Sequence, residues 1–446
     1  MAAKRFLPVF IKTLERFRAS KLAAKMASGV FWLSAGSVPS RIATLIATFL
    51  VIRILGKFTY GEFTLVRSTV NAFVTVASFG MGRTAAKYVS ELLVTNRERV
   101  GRIVALNYTF TFISSLVIAV FFYVSAPWLC QTLIDAPHLV SQARFSSILL
   151  ILTAMAGAQT GVLTGFQSYK EIAFSLTISG FASIPFYICG AKFWGLTGAV
   201  VGVAFGPFFN CVCNSYFIFR LLNQHGVSYQ FRDCWREAVV LWNFCMPSTL
   251  MSLLMSLVTW GASVMLVRQQ DGTGELGVFD AELQVQTAVL YFPVLAANVV
   301  IPALSELNAL NDSKRYHETV KYTVMINAGF TLIAALALAP FAKLIMSSFG
   351  NEFELGAKTL LVLLGGSVVM SVSNVYASVL TSIGALWTRF WFSVIWGTIV
   401  IVGMWSGHFL FSGSFGLANA MLLAYTVQTL CMKLCIGTFF KRNRLT

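Results

Sequence analysis

Charged side chains are scarce in this chain: Asp, Glu, Lys and Arg make up 11% of its 446 residues. A soluble domain carries about 25%. Acidic residues are the rarer kind, with 17 Asp and Glu against 33 Lys and Arg, while hydrophobic residues reach 57%. With a mean hydropathy of +0.75, this composition excludes an ordinary soluble protein and indicates one that crosses a membrane many times.

Histidine and cysteine are too few and too scattered for a metal centre or a disulfide framework. The four histidines lie far apart, and none of the eight cysteines forms a CxxC pair beside a histidine cluster. Apart from Cys234, the cysteines lie in or at the ends of apolar runs, where cysteine is commonly a small buried apolar residue. We therefore expect no cofactor, no metal and no catalytic site, and do not predict an enzyme.

Apolar runs recur along the whole chain at the length that a helix needs to cross about 30 Å of hydrocarbon, which is about 20 residues. The predicted spans are 27–52, 63–82, 103–126, 145–167, 172–191, 196–219, 238–265, 276–302, 321–345, 359–383, 390–411 and 415–439. The sequence therefore predicts an all-α integral membrane protein with about twelve transmembrane helices.

The cationic residues give these spans an orientation. With the N-terminus in the cytoplasm, most of the 33 Lys and Arg residues fall in cytoplasmic segments. This bias predicts that both termini are cytoplasmic. It also accounts for the net charge of +16 without any nucleic acid as a partner.

The first 25 residues lack the continuous apolar core of a cleavable signal peptide. Phe6, Phe10, Leu14 and Phe17 recur at three- and four-residue steps among basic residues. This pattern predicts a basic amphipathic segment over 1–25 that lies on the anionic inner leaflet. A disordered basic tail is the alternative interpretation.

Short matches between the two halves indicate an internal repeat. They are Gly61-Glu62-Phe63 with Gly277-Val278-Phe279 at an offset of 216, Ser90-Glu91-Leu92 with Ser305-Glu306-Leu307 at 215, and Val162-Leu163-Thr164 with Val379-Leu380-Thr381 at 217. Each half holds an even number of predicted spans, so the halves form parallel repeats. We expect a six-helix lobe over 26–222, a cytoplasmic linker over 223–237 and a second six-helix lobe over 238–446.

Polar residues inside four of the spans recur at steps of three and four, so each set forms one stripe on a helix. The stripes are Ser34, Ser37, Arg41, Thr44 and Thr48; Arg67, Asn71, Thr75 and Ser78; Ser252, Ser256, Thr259 and Ser263; and Asp280, Gln284, Thr287 and Tyr291. Two polar faces related by a two-fold axis predict a central cleft. Helix packing, which also uses Ser and Thr in membranes, is the alternative for any single stripe.

Four charges inside the spans favour the cleft: Arg41, Arg67, Asp280 and Glu282. A charge at the centre of a spanning helix costs roughly 2.5–3.5 kcal/mol on insertion scales, so such residues usually face an aqueous cavity. Asp280 continues its polar stripe and is the candidate coupling site for a proton or cation, or the outer-gate partner of an Arg from the other lobe. Glu282, on the opposite side of its helix, is expected between helices or at the outer interface. The charges predict a transporter.

Several segments of the chain resemble one transporter family, the polysaccharide and O-antigen lipid flippases of the multidrug/oligosaccharidyl-lipid/polysaccharide (MOP) exporter superfamily. The similar segments are Leu55-Gly56, Tyr60-Gly61-Glu62-Phe63, the Gly80 region, Tyr88-Val89-Ser90-Glu91, Gly161-Val162-Leu163, Gly195-Leu196-Thr197-Gly198-Ala199 and Pro302 to Leu307. The resemblance implies a two-lobed alternating-access carrier with a cationic cleft in the bacterial inner membrane. Its cargo would be an oligosaccharide on undecaprenyl pyrophosphate, moved from the cytoplasmic to the periplasmic leaflet, with membrane lipids and polysaccharide assembly proteins as partners.

On this hypothesis Arg41 and Arg67 bind the pyrophosphate, because an Arg fork can replace its hydration bidentately. The predicted cleft lining is Ser34, Ser37, Thr44, Thr48, Asn71, Thr75, Gln284, Thr287 and Tyr291. A multidrug or other small-molecule exporter of the same superfamily is the alternative, although organic cations would favour an anionic cleft. A membrane polymerase or glycosyltransferase is less favoured because the longest predicted outer segment, 127–144, holds only one Asp.

Overall fold

The computed structural model describes residues 21–227, 234–237, 246–269, 271–309, 313–410 and 413–442, and these ranges are almost entirely helical, without strands. The α-helices are α1 (Lys21–Ser78), α2 (Met81–Thr95), α3 (Arg97–Trp128), α4 (Val140–Gly165), α5 (Tyr169–Gln224), α6 (Met246–Val267), α7 (Gly272–Ala309), α8 (Ser313–Leu338), α9 (Ala342–Phe349), α10 (Ala357–Ser382), α11 (Leu386–Leu410) and α12 (Gly413–Arg442). A π-helix (Leu129–Leu133) and short 3₁₀-helices (Pro137–Leu139, Cys234–Glu237, Ala339–Phe341 and Asn351–Gly356) complete the described elements.

Two of these helices are too long for one crossing, and a glycine breaks each of them. A straight helix of 58 residues, the length of α1, would extend about 87 Å. Gly56 (φ 72°, ψ 175°) in α1 and Gly195 (φ 55°, ψ −133°) in α5 leave the helical region. Glycine adopts positive φ without steric cost. The outer loop expected over 53–62 is therefore wrong: a single residue separates the first two spans.

The twelve predicted crossings are confirmed. Within the described ranges, nine helical segments are long and apolar enough to cross a membrane, and two of them contain the breaks at Gly56 and Gly195. Helix α7, with 38 residues, supplies one more crossing. Large apolar side chains such as Val124 and Leu434, each 70% exposed, lie on the outside of the bundle, where lipid would cover them.

One segment expected to be a cytoplasmic loop is a helix. After a turn at Phe79 (φ 43°) and Gly80 (φ 65°), α2 runs through residues that the sequence analysis placed between spans. Its Ala85, Val89 and Leu92 belong to a buried cluster at the cytoplasmic end of the first lobe. The loop expectation was wrong because the three- and four-residue spacing of these apolar side chains, set among polar ones, describes an amphipathic helix.

The internal repeat is visible in equivalent positions. Ser115 in α3 and Thr331 in α8, 216 residues apart in sequence, are both fully buried. Gly195, between the fifth and sixth crossings, and Gly413, where the twelfth begins, both have positive φ. Two six-helix lobes with the same fold follow from this. Residues 1–20 of the predicted amphipathic segment and residues 228–233 of the predicted linker lie outside the described ranges.

Candidate functional site

The two lobes touch through a pair of glycines at their outer ends, where outer means the side that the Lys and Arg distribution predicts. A side chain at Gly61 would collide with the carbonyl oxygen of Thr273, and one at Gly277 with that of Lys57. Both pairings join residues 216 apart in the repeat, so the contact is self-complementary, as across a two-fold axis. Without side chains, the backbones of α1 and α7 approach closely.

Asp280 of the second lobe is held by residues of the first. The Tyr60 hydroxyl donates to its Oδ2 at 2.5 Å, and Arg67 Nη2 donates to its Oδ1 at 2.7 Å. Gln284, one turn further along α7, donates more weakly to Oδ2 at 3.4 Å. Tyr60 is fully buried and Asp280 is 7% exposed. The carboxylate is therefore shielded from water and partnered on both oxygens, as a buried charge requires.

A second ion pair links the lobes nearer the outer surface. Lys57 Nζ lies 2.6 Å from Asp271 Oδ2, and the Asp271 side chain is 43% exposed. The pair borders an open cavity of about 800 Å³. Solvent screens such a pair, so it stabilises the contact less than the Asp280 pair does. We call these two ion pairs, together with Tyr60 and the glycine pair, the outer contact.

Arg41 lies deeper between the lobes and has unused hydrogen-bonding capacity. Its Nη2 donates to Gln284 Oε1 at 3.4 Å, whereas its Nε is buried without a partner. It is close enough to Arg67, Asp280 and Tyr291 to interact with them electrostatically. The two arginines predicted as phosphate ligands thus belong to one network, but Arg67 is already paired with a carboxylate and Arg41 is not.

The polar stripes of the two lobes face each other in part. Tyr291 donates to Ser37 Oγ at 2.5 Å, and Thr75 donates to Ser256 Oγ at 3.3 Å. The remaining predicted lining residues differ in exposure: Thr44, Asn71 and Thr287 are exposed, Gln284 is half-buried, and Thr48 is 5% exposed.

The expectation that Thr48 lines a cleft is therefore wrong for this conformation. It lies near the outer end of the first span, where its neighbours Ala47, Val51 and Ile52 are buried as well. The side chain of Ser34 falls outside what the structure describes.

Glu282 is fully buried on the other side of α7, as expected for a residue that does not share the face of Asp280. Neither of its carboxylate oxygens has a hydrogen-bond partner among the described residues. Its Oε1 lies against Gly356, at a place where any side chain would collide with it. Glu282 therefore takes no part in the contact between the lobes.

Sequence reasoning did not identify Lys57, Tyr60 or Asp271 as contact residues. The available signal was the match of Gly61 with Gly277: two small residues at equivalent repeat positions are candidates for a close helix crossing. Lys57 and Tyr60 lie within one turn of Gly61. Among the described residues no group of three or more His, Cys, Asp or Glu side chains could hold a metal ion.

Solved structures share this fold at low sequence identity. An inward-facing conformation of a multidrug resistance MATE family transporter of the MOP superfamily matches with a TM-score of 0.75 and 14% identity, over 90% of this chain and 96% of that chain. An outward-facing conformation of such a transporter matches with a TM-score of 0.67 and 14% identity, over 94% and 97%.

A third match is a MOP superfamily transporter from Pyrococcus furiosus, described as having a binding pocket of reverse polarity that suggests a different function. It matches with a TM-score of 0.68 and 14% identity, over 92% of this chain and 94% of that chain. These likenesses show a common fold. No curated protein matches the sequence.

The sequence itself shows a family. The model of the family described as "Polysaccharide biosynthesis protein" matches residues 26–308, which is more than half of the chain. The match covers the whole first lobe and the two helices of the second lobe that form the contact, and the chain belongs to this polysaccharide biosynthesis protein family.

Proposed function

We propose that this transporter is a flippase that moves an oligosaccharide on undecaprenyl pyrophosphate from the cytoplasmic to the periplasmic leaflet. The family match supports a role in polysaccharide biosynthesis, and the fold is that of a MOP superfamily carrier. On this proposal the protein lies in the bacterial inner membrane with both termini in the cytoplasm. The lobes 26–222 and 238–446 move about the linker 223–237.

The observation that carries the proposal is Arg41. A guanidinium lies between the lobes, has one weak hydrogen bond at 3.4 Å and keeps its Nε buried without a partner. An unpaired Arg in hydrocarbon is expensive, so it indicates a site for an anion. A pyrophosphate supplies several acceptor oxygens in the geometry that an Arg fork binds.

The other exposed side chains of the stripes fit the sugar. Thr44, Asn71 and Thr287 are exposed polar residues in spanning helices and offer hydroxyl and amide groups for hydrogen bonding to sugar hydroxyls. The lipid tail would stay in the bilayer between the lobes. The basic N-terminal segment 1–25 would bind the anionic inner leaflet, and polysaccharide assembly proteins would receive the flipped unit.

The proposal is tested by flipping in proteoliposomes. Undecaprenyl-pyrophosphate oligosaccharide is loaded in one leaflet, and its transfer is followed by an impermeant sugar-cleaving enzyme. We expect transfer with the wild type and none with Arg41→Ala, while Arg53→Ala, which removes an exposed Arg from the same helix, transfers normally. No transfer by the wild type, or normal transfer by Arg41→Ala, would contradict the proposal.

A second candidate function is export of a small molecule such as a drug. The structural likeness to multidrug resistance MATE transporters favours it. An organic cation would need an available anionic group, yet Asp280 is paired with Arg67 and Tyr60 in this conformation. Movement of organic cations under a proton or sodium gradient, without transfer of the sugar lipid, would favour this second candidate.

A further inference from the structure

The Arg67–Asp280 pair joins the two lobes in a place with little water. The Arg67 side chain is 24% exposed and that of Asp280 is 10% exposed. Arg67 belongs to the first lobe and Asp280 to the second, so the outer ends cannot separate unless the pair breaks. Breaking a buried pair leaves two poorly solvated charges, which is far costlier than separating an exposed pair.

The rest of the outer contact offers no comparable resistance. The glycine pair packs backbone against backbone without interlocking side chains. The Lys57–Asp271 pair opens toward solvent, since 43% of the Asp271 side chain is exposed. Water can therefore replace each partner of that pair as the lobes part. The Arg67–Asp280 pair thus decides how readily the outer side opens.

A phosphate group can take the place of the Asp280 carboxylate. Carboxylate and phosphate oxygens bind guanidinium through the same charge-assisted hydrogen bonds. Arg41 lies beside the pair, connected to it through Gln284, which donates to Asp280 and accepts from Arg41. An anion bound at Arg41 is consequently within the same network as Arg67, and a group with two phosphates can engage both arginines.

We propose that the pyrophosphate of the cargo opens the outer side by replacing Asp280 at Arg67. This inference rests on the proposed function for the identity of the anion. The exchange keeps Arg67 paired throughout. Asp280 retains Gln284 on its own helix and gains water as the outer side opens, because it lies only about 6 Å below the outer end of its predicted span.

The exchange couples opening to loading. In the empty carrier, opening leaves both Arg67 and Asp280 without a partner, so the outer side stays closed. When the cargo leaves to the outside, Arg67 loses the phosphate and the Asp280 pair forms again. The carrier returns to the closed conformation because the empty open one is unfavourable. Opening without cargo, which would expose a polar path through the membrane, is suppressed by the same pair.

The test measures the distance between the outer ends of the lobes in lipid nanodiscs. Spin labels are attached through non-natural amino acids at positions 194 and 355, where Trp194 and Leu355 are 72% and 85% exposed. Labels of this kind avoid the native cysteines. Distances are recorded without ligand, with undecaprenyl pyrophosphate, and with undecaprenol, which has the same tail and no phosphate.

In the wild type we expect a short distance without ligand, a shift to a longer distance with undecaprenyl pyrophosphate, and no shift with undecaprenol. Asp280→Asn is nearly isosteric and removes the charge, so it should raise the open-to-closed ratio at least about tenfold without any ligand. Asp271→Asn is the matched control in the exposed pair and should change the ratio little. The double variant Arg67→Asp with Asp280→Arg should restore closure.

An Asp280→Asn protein that remains as closed as the wild type would overturn the exchange, as would equal opening with undecaprenol. Failure of the proposed function gives a different result. If undecaprenyl pyrophosphate opens the outer side but the sugar lipid is not flipped in proteoliposomes, the exchange stands and the cargo is wrong. If the sugar lipid is flipped but its pyrophosphate does not shift the distance, the cargo stands and the exchange is wrong.

Discussion

The two lobes repeat one backbone but carry opposite charges in their spans. The first lobe has Arg41 and Arg67, and the positions 216 residues later hold Leu257 and Leu283. The second lobe has Asp280 and Glu282, whose counterparts in the first lobe are Thr64 and Val66. The repeat therefore supplies the self-complementary geometry of the outer contact, and the departure from the repeat supplies its chemistry.

The difference matters for the direction of transport. Two identical charges related by the axis would repel each other across the contact, whereas Arg67 and Asp280 attract. The pairing also leaves the two lobes unequal inside the membrane: the first lobe keeps an incompletely bonded cation at Arg41, while the exposed part of the α7 stripe offers the hydroxyl of Thr287. An anionic cargo would thus be bound mainly by the first lobe.

The largest effect should come from breaking the symmetric part of the contact. Gly61→Ala places a methyl group against the Thr273 carbonyl, and since backbone cannot rotate away as a side chain can, α1 and α7 must move apart. We expect transport to be lost and the outer ends to remain separated in the spin-label measurement. Gly329→Ala is the control, because nothing lies within 4 Å of an added methyl group there. Normal transport by Gly61→Ala would show that this closure is dispensable.

A smaller but still large effect should come from breaking the asymmetric part on one side only. Arg67→Leu leaves Asp280 buried without its cation, and removing one partner of a buried pair costs roughly 3–5 kcal/mol. The double variant Arg67→Leu with Asp280→Leu removes both charges and should recover most of that stability. The comparison is made by unfolding in mixed micelles with increasing denaturing detergent. If the single variant is as stable as the double, the pair is not coupled as described.

An ion pair at the cytoplasmic side gives a milder, pH-dependent effect. Hydrogen bonds from Arg99, at 2.9 and 2.6 Å, together with the positive charges of Arg99 and Arg102, lower the pKa of Glu237. A lowered carboxyl pKa stabilises the fold above the unfolded value of about 4.3, and this stability is lost as the pH falls through the lower folded pKa. Because the Arg99 side chain is 42% exposed, we expect about 1 kcal/mol at most.

The measurement for this pair is thermal unfolding from pH 7 down to pH 3, with wild type beside Glu237→Gln. The variant should be less stable at pH 7, and the two curves should converge at the acid end. A gap that stays constant across the range would mean that the charge of Glu237 is not what stabilises the linker against α3.

The smallest effect should come from Glu282→Gln. Its two carboxylate oxygens have no hydrogen-bond partner among the described residues, so the nearly isosteric amide sacrifices no contact, and the change in stability should be under about 1 kcal/mol. Asp280→Asn, two residues away, loses a charge-assisted bond and should cost more. The same unfolding assay checks the order of the two variants, and a larger loss for Glu282→Gln would reverse our account of α7.

The sequence predicted the parts of this fold that depend on length and composition. Twelve crossings followed from apolar runs, and the repeat followed from short matches that include Gly61 and Gly277. It did not predict that Gly56 alone turns the chain, because a glycine inside an apolar run does not reveal its φ. Nor did it predict α2, whose many cations resemble those of a loop although its apolar residues have helical spacing.

The candidate site was predictable residue by residue but not pair by pair. Arg41, Arg67 and Asp280 stand out because charges in spans are rare. Which of them meet depends on how α1 crosses α7, and that crossing is set by long-range backbone contact between glycines. Periodicity places a residue on a face of its own helix, but it cannot tell which residue of another lobe lies opposite, as with Tyr60 and Asp280.

The central claim is that the charge at position 41 carries an anionic cargo across the membrane. The most direct test is the rate of sugar-lipid flipping in proteoliposomes for a charge series at this position: wild type, Arg41→Lys, Arg41→Gln and Arg41→Glu. The account predicts that the rate falls in that order, with partial activity for Lys, whose charge is kept without the bidentate fork, and none for Glu. Flipping by Arg41→Glu at the wild-type rate would contradict it.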